Sequence, residues 1–301
     1  MRTVVAVLRG GPSREYDVSL KTGASVLEAL DKETYEPRDI FISRDGQWHL
    51  HGVGVAPERA LFGSDVAFNA LHGEFGEDGR VQRLLEQLSV PYTGSGAVAS
   101  ALSFNKHLAK EEARKLGIKT PHATVVESPL SGGRDIEVLA HTLFRTFPHP
   151  AVIKPIVGGS GRGITVAENF MQLQRGLETA FAIGPQALVE EFVRGKDASV
   201  GVINDFRGEP VYALLPTPHE ILSPKEKEEL TAAAKKIHDK LGLSHYSESD
   251  FVVSKRGVYY LETNALPKLT TGALLPQALQ AVGASLSQFL HHVVSLARNK
   301  K

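Results

Sequence analysis

Three groups of side chains in this 301-residue sequence could do chemistry. The first lies in residues 151–166, AVIKPIVGGSGRGITV, where a short apolar run meets Lys154, a proline and then four glycines in six residues before a second apolar run. Branched residues on both sides read as strands, because branched side chains fit a pleat. A strand, a glycine loop and a strand make a hairpin whose tip is almost bare backbone. Such a tip can approach an anion and aim several N–H groups at it, and Lys154 adds a point charge suited to phosphate. A flexible hairpin with a surface lysine would look the same at this one stretch. The pattern is not the P-loop, which needs a strand-to-helix transition and a Gly-Lys-Ser/Thr ending.

The second group is Asp250, Glu262 and Asn264. Glu262 and Asn264 stand two apart on an expected strand and so share a face. Asp250 lies on the neighbouring strand of the same expected hairpin and could face the same way. Two carboxylates and an amide oxygen form an all-oxygen set suited to Mg²⁺ that also keeps phosphate oxygens and water; a solvated polar sheet face is the plainer alternative. The third group is Glu15 and His72, each in a turn that follows an expected strand. A lone Glu near a helix start usually only complements the helix dipole, and a lone His there is an ordinary polar loop residue.

The elements that would position these groups read as follows. Residues 3–8 form a buried strand that runs into Arg9-Gly10-Gly11-Pro12-Ser13, and residues 18–30 have helical periodicity. Strand, glycine turn and helix open a doubly wound parallel α/β sheet, in which ligands gather at the carboxyl ends of strands. Further strands fall at 36–43 and 66–71, with a helix at 80–88. Asn105 caps a helix over 106–116. A loop around 129–134, a helix over 136–145, the glycine hairpin, a helix over 169–181 and a strand at 187–190 follow. Residues 196–203 and 210–215 pair antiparallel. Ser223-Pro224-Lys225-Glu226 starts a helix, with Ser as cap, Pro first and Glu third. The last hairpin pairs 251–253 with 258–261, and a helix over 285–297 closes the chain. Three domains are expected: 1–102, doubly wound; 103–187, a small α+β unit with the glycine hairpin; and 188–301, with the acid cluster.

Bulk composition narrows the function classes. Hydrophobic residues make up 42%, enough for real cores, and 34 basic residues balance 34 acidic ones. Zero net charge argues against a nucleic-acid binder that works by bulk electrostatics. The absence of cysteine excludes disulfides, thiol nucleophiles and thiolate-held metals. The first apolar run is too short for a signal peptide and no run could span a bilayer, so a cytoplasmic protein with no membrane partner is expected.

The order of these features resembles the D-alanine–D-alanine ligases of the ATP-grasp superfamily over nearly the whole chain. The resemblance is carried by LRGGPSREYDVSLKTGASV near the start, by LHGEFGEDGRVQRLLEQLSVPYTGSG followed by SALSFNKHLAK, by the hairpin with Lys154, and by LETNALP. It implies a three-domain ATP-grasp fold with ATP between the central and C-terminal domains. Lys106 and Lys154 would contact the phosphates, under a hairpin closing around Ser160. Glu190, Glu191, Phe192 and Val193 would hold the adenine, largely through backbone groups, and Asp197 stands where the family usually has a Glu for the ribose. Asp250, Glu262 and Asn264 would hold two Mg²⁺, or Mn²⁺. Glu15 would receive the amine of the first D-alanine, with His72 nearby, which makes Glu15 and Ser160 the implied catalytic residues. The implied reaction joins two D-alanines through an acyl phosphate, for peptidoglycan precursors, in a homodimer.

Four departures from that pattern cluster at the amino-acid end of the site. Glu248 stands where the family has an arginine that binds the first substrate's carboxylate. A carboxylate there repels an anionic substrate unless it is protonated or paired, for example with Lys268. Lys268 replaces the glycine after Asn-Thr-x-Pro. Ala273, beside Leu274, replaces the serine that holds the second carboxylate. A long loop with a lysine and a tyrosine is missing, since residues 215–220 pass almost directly into the Ser223 helix. These departures leave two further readings open: a ligase with a different acceptor, and a relative that binds nucleotide without ligating.

Overall fold

The computed structural model of the chain describes residues 2–129, 133–159, 161–218 and 222–299, without the side chains of 133, 134 and 218. Ser160 and residues 219–221 therefore lie outside the described residues.

The first sheet is built from β1 (Thr3–Gly10), β2 (Tyr35–Ile42), β3 (Trp48–Leu50), β4 (Val53–Val55) and β5 (Val66–Asn69), with α1 (Tyr16–Ala29) and α2 (Pro57–Leu61) between them. Its order is β4-β3-β2-β1-β5, with β1 parallel to both β2 and β5. The parallel centre is as expected. The antiparallel ribbon of β3 and β4 at the edge is not: three-residue strands carry too little alternation to register in a sequence. In β1, Val5, Ala6, Val7 and Leu8 are all fully buried, because both faces are covered. Ala6 and Leu8 meet α2 and α3 (Arg80–Gln87). Val5 and Val7 meet Val26 of α1, together with Phe289, Val293 and Val294 of α10 (Leu286–Asn299), from the far end of the sequence. Strand β1 ends where only glycine fits: Gly10 has φ +91°, and a Cβ there would lie 2.2 Å from the Ile42 carbonyl oxygen.

Two helices, α4 (Ala97–Phe104) and α5 (Lys106–Lys115), lead out of this sheet. The Asn105 side chain caps α5 by accepting from the His107 and Leu108 N–H groups. The second sheet is antiparallel, in the order β6 (Ala123–Glu127), β9 (Gln186–Glu191), β7 (Ala151–Pro155), β8 (Thr165–Ala167). Helices α6 (Gly133–Thr146) and α7 (Phe170–Phe181) cover one face through Leu143, Leu173 and Leu177. The third sheet runs β11 (Glu209–Ala213), β10 (Lys196–Phe206), β13 (Tyr246–Ser254), β14 (Gly257–Asn264), with β12 (Thr217–Pro218) beside β10. Helices α5 and α8 (Pro224–Lys240) cover one of its faces through Ala109, Ala113, Leu230 and Ala234. Ser223 and Glu226 close a capping box at the start of α8. Leu222, just before it, is buried in the same core. Helix α9 (Leu274–Ala281), not anticipated from the sequence, precedes α10. No helix among the described residues is long and apolar enough to cross a membrane.

One buried group makes stability depend on pH. The His238 ring hydrogen-bonds Ser247 Oγ at 2.8 Å and Asn204 Oδ1 at 3.1 Å, and burial pulls its pKa down to about 4. The unfolded chain takes up this proton near pH 6.5 and the folded chain only near 4, so stability is full above 6.5 and falls as the pH drops between them. The loss should reach about 3 kcal/mol, at ~1.4 kcal/mol per unit of displacement. Urea unfolding from pH 7 to 4 should show this slope, and His238→Gln should flatten it; an unchanged slope would assign the acid sensitivity elsewhere.

Candidate active site

The metal-type residues lie on β13 and β14. Asp250 is directly opposite Glu262, and Glu248 is opposite Asn264. All four side chains can share a face only because the register slips. Phe251 pairs with Tyr260, and Leu261 is the extra residue before Glu262. Without the bulge, Tyr260 and Glu262, two apart, would point the same way; with it, Tyr260 enters the helix-covered core and Glu262 faces the cleft. Ser199 of β10 completes the row, its hydroxyl donating to Asp250 Oδ1 at 2.5 Å. Burial, with the Glu262 charge next, pushes the Asp250 carboxyl up to about 7. Glu262 goes the other way: burial alone would raise it, but Lys106 at 3.2 Å and then Lys154 hold it below the ordinary value.

Lysines gather opposite the carboxylates. Lys106 starts α5, and its ammonium also donates to the Gly158 carbonyl in the hairpin. Lys154 lies in β7, where its ammonium stands 2.7 Å from Glu190 Oε2. A third lysine, not singled out from the sequence, completes the set: Lys110 Nζ lies 3.0 Å from Glu190 Oε1 and donates to the Tyr260 carbonyl at 3.3 Å. It is fully buried, one turn after Lys106 on α5, and burial draws its ammonium down to about 8 against the pull of Glu190. The i,i+4 spacing from Lys106 was the available signal. Burial would raise Glu190, but Lys110 and Lys154 keep it below the usual carboxylate range. Two buried ammoniums thus share one carboxylate, and of the two only Lys154 lines the cleft under the hairpin.

The adenine-type segment divides. The Glu190 side chain is committed to the two lysines, whereas Glu191 accepts from the His122 N–H at 3.2 Å and from Arg256 at 3.1 Å. Phe192 is partly exposed, and Val193 packs with Val252 and Tyr259. Asp197, on β10, is exposed, and its charge is felt at Asp250.

Glu15 and His72 come in from the first sheet. His72 Nε2 shares a 2.8 Å hydrogen bond with Thr22 Oγ1, and its Nδ1 lies 3.7 Å from the buried Glu77, which also accepts from the Gly73 N–H at 3.1 Å. Burial raises the Glu77 carboxyl, and His72 partly offsets this. The hairpin reaches this turn: a Cβ on Gly159 would stand 3.0 Å from Glu15 Oε1, so the bare backbone allows the close approach. Glu15, His72, Glu248, Asp250, Glu262 and Asn264 line one cavity of about 300 Å³, closed on the remaining side by Lys268, Ala273 and Leu274. A narrower cleft under the hairpin is lined by Lys106, Lys154, Gly158 and Glu262. Ser160 lies outside the described residues. The pairing of Glu248 with Lys268 is not found as an ion pair: Lys268 is exposed and acts on the buried Glu248 only at longer range. Burial and then Asp250 push the Glu248 carboxyl up to about 8.

The donor set fits a hard divalent cation that shares its shell with phosphate. Among the described residues no three His, Asp or Glu side chains gather into a self-sufficient metal site. Asp250 and Glu262 supply two carboxylates, and the Asn264 amide can supply a third oxygen. Glu262 Oε2 is buried and accepts no well-aligned hydrogen bond, so it has capacity to spare. Mg²⁺ usually takes one or two carboxylates plus phosphate and water.

Known proteins resemble this chain in sequence and in fold. The family profile for the D-ala D-ala ligase N-terminus matches residues 4–60 and 53–95, and the profile for the C-terminus matches 113–218 and 216–295. A D-alanine–D-alanine ligase of Syntrophotalea carbinolica is 35% identical over 99% of this chain and 97% of its own length. The D-alanine–D-alanine ligase of Bacillus anthracis, solved in complex with ATP, superposes with TM-score 0.80 at 26% identity, covering 99% of both chains. The ligase of Coxiella burnetii superposes with TM-score 0.85 at 23% identity, over 99% of this chain and 96% of its own, which establishes the shared ATP-grasp fold. With both profiles matched in order and a relative this similar along its full length, the chain belongs to the D-alanine–D-alanine ligase family.

Proposed function

We propose that the chain is an ATP- and Mg²⁺-dependent ligase that joins two D-alanines for peptidoglycan precursor synthesis. The observation that carries this reading is the convergence of Lys106, Lys154, Asp250 and Glu262 on one cleft under a hairpin of bare backbone, beside a cavity that holds Glu15. Lys106 and Lys154 bind the phosphates of ATP, and the hairpin, with Ser160, closes over them. Backbone groups from Glu190 to Val193 hold the adenine and Asp197 the ribose. Asp250, Glu262 and Asn264 hold two Mg²⁺, for which Mn²⁺ can substitute; bound there, the ions offset charge that develops on the phosphoryl oxygens. Glu15 takes the amine of the first D-alanine beside His72, while Glu248, Lys268, Ala273 and Leu274 frame the acceptor.

The first carboxylate attacks the γ-phosphorus and ADP leaves. The second amine then attacks the acyl carbon and phosphate leaves. The protein contributes placement and electrostatics, the main terms in phosphoryl transfer. Three separate sheets support a division into 1–102, 103–187 and 188–301. Cytoplasmic placement, where ATP is made available, and a homodimer complete the proposal.

The test is phosphate release from Mg-ATP with D-alanine, beside L-alanine and a blank, with the product identified by mass. D-alanine-dependent release with dipeptide is expected. Release with another amine only would reassign the acceptor, and nucleotide binding with no release would overturn the ligase reading.

A further inference from the structure

The second sheet, with α6 and α7, is one continuous stretch of chain from β6 to β9. Among the described residues its core lies wholly within that stretch, from Val126 to Val189. The chain therefore crosses between this unit and the rest twice: inward through residues 116–122, between α5 and β6, and outward through residues 192–195, between β9 and β10. Residues 190–193, which the reading above gives to the adenine, sit at the outward crossing.

The two crossings lie side by side. The Glu191 N–H donates to the His122 carbonyl at 2.9 Å, and Glu191 Oε1 accepts from the His122 N–H at 3.2 Å. A third piece of chain, the β13–β14 turn Lys255-Arg256-Gly257, holds both. The Arg256 guanidinium donates to Glu191 Oε2 at 3.1 Å, and the Arg256 carbonyl accepts from the Lys119 ammonium of the inward crossing. Both cations lie over the Tyr259 ring, 5.1 Å and 5.9 Å from its centroid. Two glycines permit the approach. Gly257 has φ +112°, and a Cβ there would stand 3.2 Å from Lys119 Nζ. A Cβ on Gly195, in the outward crossing, would lie 2.3 Å from the Val253 carbonyl oxygen, so this crossing runs flush against β13.

Both oxygens of the Glu191 carboxylate are thus taken by protein groups, one on each side of the joint. An exposed ion pair contributes little to stability. Placed where the only two connections meet, it fixes direction instead. We propose that Arg256 is a positioning residue for the nucleotide: through Glu191 it holds residues 190–193 at a set offset from β13 and β14, and so sets where the base lies relative to the lysines that take the phosphates. The assignment rests on the adenine reading above and adds to it a residue outside the cleft that acts through another.

Calorimetric titration of the full chain with Mg-ATP and with Mg-triphosphate, which has the phosphates and no base, tests it. Arg256→Met should weaken Mg-ATP about fivefold, the scale of an exposed ion pair, and leave Mg-triphosphate unchanged. Arg256→Lys, which keeps a cation, should recover part of the loss. Glu191→Gln should give a similar loss, and combining it with Arg256→Met should add little, because the two residues act as one contact. Equal Mg-ATP affinity in the parent and Arg256→Met, an equal loss for both probes, or additive losses in the double variant would each overturn the proposal. Arg256 is exposed in a turn, so its variant keeps the fold. The failures are distinct: a parent that binds Mg-ATP no tighter than Mg-triphosphate overturns the adenine reading and this proposal with it, whereas tight Mg-ATP binding without dipeptide formation overturns only the ligase reading.

Discussion

Glu190→Gln is expected to destabilise the chain by about 3–5 kcal/mol, the cost of leaving buried charge without its partner. Glu190 stands between Lys110 at 3.0 Å and Lys154 at 2.7 Å, and the exposures of the three residues are 2%, 0% and 4%. Glutamine keeps the shape and removes the charge that lets two ammoniums lie side by side. Urea unfolding should therefore shift strongly, and ATP affinity should fall with it, because Lys154 loses the group that fixes its direction. Adding Lys110→Met to Glu190→Gln removes one of the stranded cations and should restore part of the stability, a coupling that independent sites would not show. An additive double variant would mean that the cluster is three separate residues and not one unit.

Asp250→Asn should move two measurements in opposite directions. Asp250 and Glu262 face each other across β13 and β14, and burial together with Glu262 lifts Asp250 to about 7. At pH 8, with both ionised and no metal present, the folded state bears that repulsion. Burying the Asp250 charge is the larger part of the cost and repulsion by Glu262 the next, together a few kcal/mol at ~1.4 kcal/mol per unit of displacement. Asparagine removes both and still accepts from Ser199, so the metal-free chain should become more resistant to urea. Mg²⁺-dependent turnover should fall about 10³-fold, since ~4 kcal/mol of barrier corresponds to three decades. A variant that loses stability and activity together would show that Asp250 is a structural residue.

Much of this site was legible because its residues obey local rules. The glycine run between branched strands, the period-two spacing of Glu262 and Asn264, the Asn105 cap and the Ser223 capping box each depend on neighbours in sequence, and each stands as expected. Glu262's direction was right partly by luck, since the bulge at Leu261 decides which face it takes and nothing in the residue types marks that slip. Lys110 escaped notice because a lysine on an Ala- and Glu-rich helix looks like a solvated one. Only the sheet packed over α5 buries it. The Glu190 side chain was read through its backbone for the same reason: its partners come from α5 and β7, 80 and 36 residues earlier (190 − 110 and 190 − 154). The gap between Glu248 and Lys268 is likewise a matter of three-dimensional reach.

The seat of α10 against β1 and β5 also has a consequence for biosynthesis. Val5, Val7 and Phe68 are covered by Phe289, Val293 and Val294, so the opening sheet finds its last apolar neighbour at the far end of the chain. A ribosome adding 5–20 residues per second needs roughly 10–45 s to go from the end of β5 at Asn69 to the start of α10 at Leu286 (286 − 69 = 217 residues). Throughout that interval the nascent chain presents a bare branched-aliphatic surface with parallel strands already able to pair. A chaperone that shelters such surfaces has its natural substrate in the unfinished polypeptide, and the sheet's own order of emergence sets how long it must wait.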